Sequence, residues 1–251
     1  MSAPTISVIM PCRDMARFLP DAIGSIRRQA IAVHEILLVD DGSSDGTAET
    51  ADRLAADGAP IRVLQGEQQG PGPARNLALK EAAGELVAFL DADDLWPAGK
   101  LERQVARLAE RPELGMVSGF VTYFETLDSQ GVAPAEGSRT ETLFHVHLGA
   151  CLYRRWVFDQ VGGFDRAFLF GEDTDLLLRL RDGGVPFTIL RAVTLFYRRH
   201  PQSMMEGPNP RRASDFRLAI MKSLRRRREA GLPPADQAVF EAYLEPQEPA
   251  P

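Results

Sequence analysis

The sequence predicts an α/β protein built on a mainly parallel sheet flanked by helices, and three observations support this fold class. Short apolar runs alternate with segments whose apolar residues recur at helical spacing throughout the first hundred residues. Residues 86–90 are apolar at every position, as expected for a strand buried on both faces. Acidic residues follow such runs directly, where an open α/β sheet binds its ligands.

The elements of the first half follow in order from these periodicities. Strands are predicted at residues 5–10, 35–39, 61–64, 86–90 and 116–124, and helices at residues 19–30, 48–58, 73–84 and 101–108. Pro11 is expected to end the first strand, and Pro20 and Pro73 suit the first turns of their helices. The alternation predicts right-handed βαβ crossovers.

The second half is less regular. Residues 125–142 show no strong pattern and are predicted to form a loop; strands are predicted at 143–152, 187–190 and 193–197, and helices at 155–161 and from about 170. Phe216, Ile220 and Leu224 mark a last, arginine-rich helix, and residues 245–251 are expected to be disordered. We therefore divide the chain into a domain at 1–205, with halves at 1–100 and 101–205, and a tail at 206–251.

Composition argues for a globular protein that does not bind nucleic acid. The chain has 251 residues, 44% of them hydrophobic, and 29 basic against 35 acidic residues give a formal net charge of −6. Cys12 and Cys151 lack metal-type spacing and indicate no disulfide framework. We see neither a signal peptide nor a run approaching the ~18 apolar residues of a membrane span. A cytoplasmic location is expected.

Charge is unevenly distributed along the chain. Residues 211–228 hold seven Arg and one Lys against Asp215 alone. Such a helix suits peripheral contact with anionic lipid at the inner face of the membrane, or binding of an anionic acceptor. A solvated helix face is the alternative.

Asp91 and Asp93 follow the central strand. Side chains two apart in extended backbone point the same way, so both carboxylates are expected to face one point while Asp94 faces elsewhere. Two oxygen donors there suit Mg²⁺ or Mn²⁺ carrying substrate phosphates. The alternative is an Asp-rich turn that caps the next helix.

A second acidic pair, Asp40 and Asp41, ends the second strand at the same predicted edge. A carboxylate there can accept an N–H from a base, which points to a nucleotide with a metal on its phosphates; an Asp-Gly turn is the alternative. No glycine lies between Pro11 and Gly24, so neither a dinucleotide fingerprint nor a P-loop is present. Arg75 is a candidate contact to phosphate or base, or else a solvated helix residue.

The order of these motifs resembles the family 2 glycosyltransferases, which have the GT-A fold. The resemblance covers roughly residues 5–205 and rests on seven blocks in the right order. They lie at residues 6–11, 39–47 (VDDGSSDGT), 72–76 (GPARN), 89–94 (FLDADD), 162–165 (GGFD), 171–176 (GEDTDL) and 197–204 (YRRHPQSM).

The resemblance implies a role for most of the singled-out residues. Asp41, beside Pro11, would pair with the base of a sugar nucleotide, usually uracil. Asp91 and Asp93 would form the DxD element, with Asp93 as the direct metal ligand. The block at 171–176 places Asp173 as the general base towards the acceptor, and His200 matches a histidine that helps to hold the metal or diphosphate.

Two further side chains are candidates on the acceptor side, Glu172 and Trp156. Asp173 opens a helix, whose dipole favours a carboxylate, although an N-terminal cap is the alternative for this acidic group. A surface or core histidine is the alternative for His200. For Trp156 stacking on a sugar competes with a core role.

These inferences predict an inverting, metal-dependent glycosyltransferase. It would move a sugar from a nucleotide-diphosphate donor, expected to be a UDP-sugar, to a hydroxyl of a glycan or glycolipid, in polysaccharide or glycoconjugate synthesis. A sugar-phosphate nucleotidyltransferase is an alternative that the missing glycine-rich loop disfavours. A catalytically silent nucleotide-sugar-binding module of the same fold is the other.

Overall fold

A mixed eight-stranded sheet forms the centre of the computed structural model, which describes residues 3–143, 147–233 and 243–245. The strands are β1 (Ile6–Cys12), β2 (Glu35–Asp40), β3 (Ile61–Gln65), β4 (Leu86–Phe89), β5 (Met116–Phe124), β6 (Glu141–Leu143), β7 (Leu152–Arg154) and β8 (Phe187–Arg198). Their order in the sheet is β3-β2-β1-β4-β7-β5-β6, with β8 paired to β5. The first four strands are parallel, and β7 runs antiparallel to both β4 and β5.

Helices cover both faces of this sheet. They are α1 (Leu19–Arg27), α2 (Thr47–Ala56), α3 (Pro71–Glu81), α4 (Lys100–Glu110), α5 (Trp156–Val161), α6 (Glu172–Asp182) and α7 (Pro210–Glu229), and a short 3-10 helix spans Leu148–Ala150. The predicted α/β class with a mainly parallel, mixed sheet is confirmed. No helix in the three described ranges is long and apolar enough to cross a bilayer.

The core lies in two layers because the central strands alternate their side chains between the two faces of the sheet. On one face, Val8 and Met10 of β1 pack with α1, α2 and α4. On the other, Ile9 packs with α3, α5 and α6. Burial on both faces explains why β4 is a continuous apolar run in the sequence.

The prediction that Pro11 ends the first strand is wrong, since β1 continues to Cys12. The Ile9 carbonyl accepts from Leu90 on the β4 side, so Pro11, two residues on, faces the same side. Since β4 ends at Phe89, the missing N–H of Pro11 costs no ladder hydrogen bond. The strand can therefore carry Pro11 up to the edge of the sheet.

The predicted start of α3 at Pro73 is two residues late. The helix begins at Pro71, directly after Gly70, whose φ of +91° favours glycine. Both prolines lie in the first turn, where a missing N–H leaves no helical bond unmade. Either Pro71 or Pro73 could therefore mark the start of the helix in the sequence.

The strand predicted at 143–152 is largely wrong. The antiparallel strand β6 ends at Leu143, residues 144–146 lie outside the described ranges, and a 3-10 helix precedes β7. The two strands predicted between 187 and 197 form one strand, β8, whose pairing with β5 shifts register on either side of Phe120.

The tail differs from its prediction where it is described. Glu245 donates its N–H to the Ile189 carbonyl at 3.0 Å and pairs with Arg107 at 2.8 Å. Residues 246–251, which we also predicted to be disordered, lie outside the described part.

Candidate active site

The candidate site lies where the carboxyl ends of β1, β2 and β4 meet. Parallel pairing aligns Cys12 with Asp40 and Ile9 with Phe89, so the segments that follow these strands leave the sheet at one edge. The Asp40-Asp41 pair and the acids at 91–94 therefore share this edge. Pro11 lies beside them and pairs with Val39.

Asp93 and His200 meet although 107 positions separate them. The Asp93 Oδ2 and His200 Nε2 atoms are 2.9 Å apart, and the His200 side chain is only 5% exposed. The imidazole also packs against the Phe18 ring, with 4.4 Å between ring centroids. Phe18, which precedes α1, was not singled out in the sequence because an isolated aromatic residue there resembles any core residue.

Asp94 explains how the end of β8 reaches this site. Its buried carboxylate accepts the Arg198 N–H at 2.9 Å, and Leu95 and Phe196 exchange two backbone hydrogen bonds. Burial, with a further contribution from the nearby acids, raises the pKa of Asp94 well above its ordinary value. The backbone at 91–94 is not extended as predicted, since the Asp94 N–H donates to the Asp91 carbonyl at 3.1 Å in a turn, and Asp94 has a structural partner in Arg198.

The oxygen and nitrogen donors at this edge could bind a divalent cation only together with ligands from outside the chain. Within the described ranges no group of three or more His, Cys, Asp or Glu residues is arranged to hold a metal. Asp93 and His200 nevertheless present one oxygen and one nitrogen towards each other, which fits a cation that takes its remaining ligands from phosphates and water. An imidazole beside a carboxylate favours Mn²⁺ over Mg²⁺.

Arg75 lies between two carboxylates from different parts of the chain. Its two terminal nitrogens donate to Asp91 Oδ1 and to Glu172 Oε1, both at 2.6 Å, and its side chain is 5% exposed. These partners raise its pKa. Burial in turn raises the pKa of Glu172 to about 7, against the opposing effect of Arg75. Arg75 thus connects the segment after β4 with the start of α6.

Asp41 organises the loop that leads into α3. Its two carboxylate oxygens accept the N–H groups of Gln68 and Gly70, each at 2.8 Å. Gly66 lies so close that a Cβ there would be 2.5 Å from Asp41 Oδ1. Each carboxylate oxygen retains a second acceptor direction. Asp40, by contrast, accepts from the Ser43 N–H at 2.9 Å, as in an Asp-Gly turn.

Asp173 is the second residue of α6, next to Glu172. Its carboxylate accepts the Thr174 N–H at 2.6 Å and is partly exposed. Burial raises the pKa of the Tyr123 hydroxyl, and both Asp94 and Asp173 add to that rise. Since Arg75 joins the neighbouring Glu172 to Asp91, the first turn of α6 lies next to the segment after β4.

Trp156 is not brought to this edge. It begins α5, after β7, whose end at Arg154 pairs with Leu86 at the amino end of β4. The tryptophan ring lies near Gly115, which precedes β5, and the residue is 38% exposed. Its position therefore does not support the predicted contact with an acceptor, because antiparallel β7 carries the chain to the opposite edge of the sheet.

Comparison with known proteins identifies the class. Residues 7–162 match the model of the family described as Glycosyl transferase family 2. Because this match covers more than half of the chain, the protein belongs to the family 2 glycosyltransferases.

Individual relatives are longer than this chain. It is 31% identical over 223 residues to an uncharacterized glycosyltransferase, EpsJ of Bacillus subtilis (strain 168), covering 82% of this chain and 64% of EpsJ. It is 39% identical over 104 residues to WfgD of Escherichia coli, a UDP-Glc:alpha-D-GlcNAc-diphosphoundecaprenol beta-1,3-glucosyltransferase, covering 41% of this chain and 40% of WfgD. The matches thus span less than two thirds of either relative.

A solved structure shows the same fold. The mannosyltransferase PcManGT from Pyrobaculum calidifontis, in complex with GDP-Man and Mn²⁺, matches with a TM-score of 0.64 and 21% identity, over 97% of this chain and 68% of that one. At this identity the likeness shows the fold alone. The architecture described above is therefore that of GT-A glycosyltransferases.

Proposed function

We propose that this protein transfers a glycosyl group from a nucleoside-diphosphate sugar, of the UDP type, to an acceptor hydroxyl with inversion. The observation that carries this proposal is the 2.9 Å pair of Asp93 and His200, at the sheet edge that also holds Asp41. Family membership supports the reaction class, and the name of WfgD supports a UDP-sugar donor.

On the donor side, Asp41 binds the base of the nucleotide and holds the loop at 66–70 in place. The carboxylate fixes residues 66–70 through two hydrogen bonds and retains acceptor directions for an N–H of uracil. A divalent cation bound at Asp93 and His200 would act as a Lewis acid on the leaving diphosphate. Arg75 holds Asp91 in place, and both of its terminal nitrogens already donate to carboxylates.

On the acceptor side, Asp173 acts as the general base. It takes the proton of the acceptor hydroxyl as that oxygen forms a bond to the anomeric carbon. The bond from this carbon to the diphosphate breaks, and its electron pair leaves with the diphosphate. Attack on the side opposite the leaving group inverts the anomeric centre. Glu172, held by Arg75, fixes the first turn of α6 and with it the base.

The acceptor is proposed to be a lipid-linked glycan. WfgD, which is 39% identical over 104 residues, is named for a diphosphoundecaprenol-linked acceptor. This acceptor class places the enzyme in polysaccharide or glycoconjugate synthesis.

Turnover of a donor panel tests the reaction. Purified protein is supplied with UDP- and GDP-sugars, Mn²⁺ and a synthetic diphosphate-lipid sugar, and release of nucleoside diphosphate is measured. At least one UDP-sugar should be consumed. Asp173→Asn should lower kcat by roughly 10² to 10⁴ with KM for the donor unchanged, as expected for loss of a general base.

The matched control is Asp159→Asn, an exposed acid on α5, which should retain wild-type turnover. Full activity of Asp173→Asn would place the base elsewhere. Release of pyrophosphate from a nucleoside triphosphate and a sugar phosphate would contradict the proposal in favour of a nucleotidyltransferase. Donor binding without turnover across the panel would instead indicate a silent binding module.

A further inference from the structure

Exposed apolar side chains are concentrated in one part of the molecule. Nine large hydrophobic residues are exposed in the described ranges, and seven of them lie between positions 204 and 232. They are Met204, Met205, Phe216, Ile220, Met221, Leu224 and Leu232. Four of these belong to α7, where Phe216 is 50%, Met221 66% and Leu224 53% exposed.

The inner face of α7 is polar and small, contrary to the usual arrangement of an amphipathic helix. Asp215, Ala219 and Ser223 are its buried residues. The Asp215 carboxylate accepts the N–H groups of Leu169 and Phe170, and the Ser223 hydroxyl donates to Asp182 Oδ2 at 2.7 Å. The helix is thus held to α6 by polar contacts, which leaves its apolar stripe facing outwards.

Arginines accompany this apolar stripe. Arg217 and Arg228 are exposed, and neither side chain has a partner within the described residues. At 100° per residue, both fall among Met221 and Leu224 on the side opposite Ala219. Residues 210–229 carry eight basic against two acidic side chains, although the chain as a whole has a net charge of −6.

We propose that α7 is a docking surface for an anionic lipid bilayer. An apolar stripe interspersed with arginine is the composition of a helix that lies in the membrane interface, with its apolar side chains among the acyl chains and its guanidinium groups at lipid phosphates. A second copy of this chain is a poorer occupant, since it would bring two arginine-rich faces together.

Docking of α7 would also orient the candidate site relative to the bilayer. This consequence rests on the proposed function. Asp215 and Lys222 of α7 bind the segment at 165–171, through the backbone of residues 169 and 170 and the carboxylate of Asp165. That segment leads directly into α6, which begins with Glu172 and Asp173. A bilayer that binds α7 would therefore lie near the acceptor side, where a lipid-linked hydroxyl would enter.

Vesicle co-sedimentation tests the docking without any need for sugar transfer. The whole protein is mixed with vesicles of phosphatidylcholine alone or enriched in phosphatidylglycerol. Wild-type protein should sediment with the anionic vesicles, less so at high salt, and not with the neutral ones. Arg217→Glu/Arg228→Glu should weaken the anionic partition at least about tenfold, given roughly 1 kcal/mol for each basic residue at such a surface.

The matched control is Arg27→Glu/Lys80→Glu, which makes the same change in charge at exposed positions on α1 and α3 and should bind as the wild type does. Unchanged melting temperatures would show that both variants fold. Equal sedimentation of wild-type protein with neutral and anionic vesicles, or undiminished binding by the α7 variant, would overturn the proposal, and so would a dimer in solution that this variant dissociates. Vesicle binding without turnover of any nucleotide-sugar would leave docking intact and remove only the proposed reaction.

Discussion

The guanidinium of Arg75 joins two carboxylates that come from distant positions in the chain. Its 2.6 Å contacts to Asp91 and Glu172 explain why the residue is buried although it lies on a helix. An arginine paired on both sides is fixed in direction, so it positions Asp91 after β4 and the first turn of α6 relative to each other. Sequence spacing could not show this, because an arginine early in a helix is ordinarily solvated.

Lys100 is a second buried cation, and it lies outside the candidate site. Its ammonium group donates to Gln104 Oε1 at 2.7 Å and lies 4.4 Å from the centre of the Trp96 ring. Burial without a carboxylate partner lowers its pKa from 10.5 to about 7. Above about pH 7 the native protein therefore lacks a proton that the unfolded chain retains up to about its ordinary pKa.

This difference predicts a dependence of stability on pH. The contribution of Lys100 to the free energy of unfolding should rise between about pH 7 and 10, by at most about 1.4 kcal/mol per pH unit, because the unfolded state binds more protons at this group. Lys100→Met should lose this contribution. Urea unfolding at a series of pH values measures it.

The control for this measurement is Lys80→Met, the same substitution at an exposed position on α3. Burial raises the pKa of the Cys12 and Cys151 thiols in the native state, which opposes the rise at alkaline pH in wild type and control alike. If the free energy of unfolding of Lys100→Met changes with pH as steeply as that of wild type and control, the buried lysine stays charged.

At the scale of elements, the turn between β3 and α3 depends on one carboxylate. Asp41 accepts two backbone N–H groups from residues 68 and 70, and Gly66 allows the close approach. A methyl group at position 66 would lie 2.5 Å from Asp41 Oδ1 and 2.9 Å from its Cα, and the backbone cannot move aside cheaply. The position of the loop at 66–70 therefore depends on both the Asp41 carboxylate and the missing side chain of Gly66.

Gly66→Ala should displace this loop and weaken donor binding. We expect the affinity for UDP to fall about tenfold or more, since it costs roughly 1.4 kcal/mol to lose one well-made contact of this kind. Isothermal titration with UDP measures the change, and the melting temperature reports the structural cost separately.

The control lies six residues further on, in the first turn of α3. A Cβ on Gly72 would meet its neighbours at 3.6 Å or more, so Gly72→Ala should keep its fold and its affinity, with a small gain in stability from helix propensity. If Gly66→Ala binds UDP as tightly as Gly72→Ala, the loop at 66–70 has no part in donor binding.

At the scale of the whole molecule, the sequence predicted those elements whose burial leaves a local pattern. β5 was predicted at its observed limits, and β1 to β4 within two residues of theirs. For β2 and β4 the reason is burial on both faces, which makes consecutive positions apolar. β6 and β7 have three residues each and depend on pairing with β5, which no local pattern reports. The break we placed between 190 and 193 is spanned in β8 by a local shift of register.

The candidate site was likewise predicted only in part from the sequence. The shared edge of Asp41 and Asp93 followed from parallel strands, but only the resemblance to a family brought His200 to Asp93 across 107 positions. The partners of Arg75 and the outward-facing stripe of α7 are properties of tertiary packing. In α7 the spacing of Phe216, Ile220 and Leu224 predicted the helix correctly but gave no sign that this face is exposed.

The central claim is that Asp93 and His200 hold a cation that binds the donor diphosphate at the edge shared with Asp41. Equilibrium titration of UDP with and without Mn²⁺ tests it most directly, on wild type, Asp93→Asn and the exposed control Asp52→Asn. The account predicts that Mn²⁺ tightens UDP binding about 10- to 100-fold in wild type and control, and that Asp93→Asn loses this gain. An Asp93→Asn protein that retains the full Mn²⁺-dependent gain, or a wild type that binds UDP equally well without the cation, would contradict it.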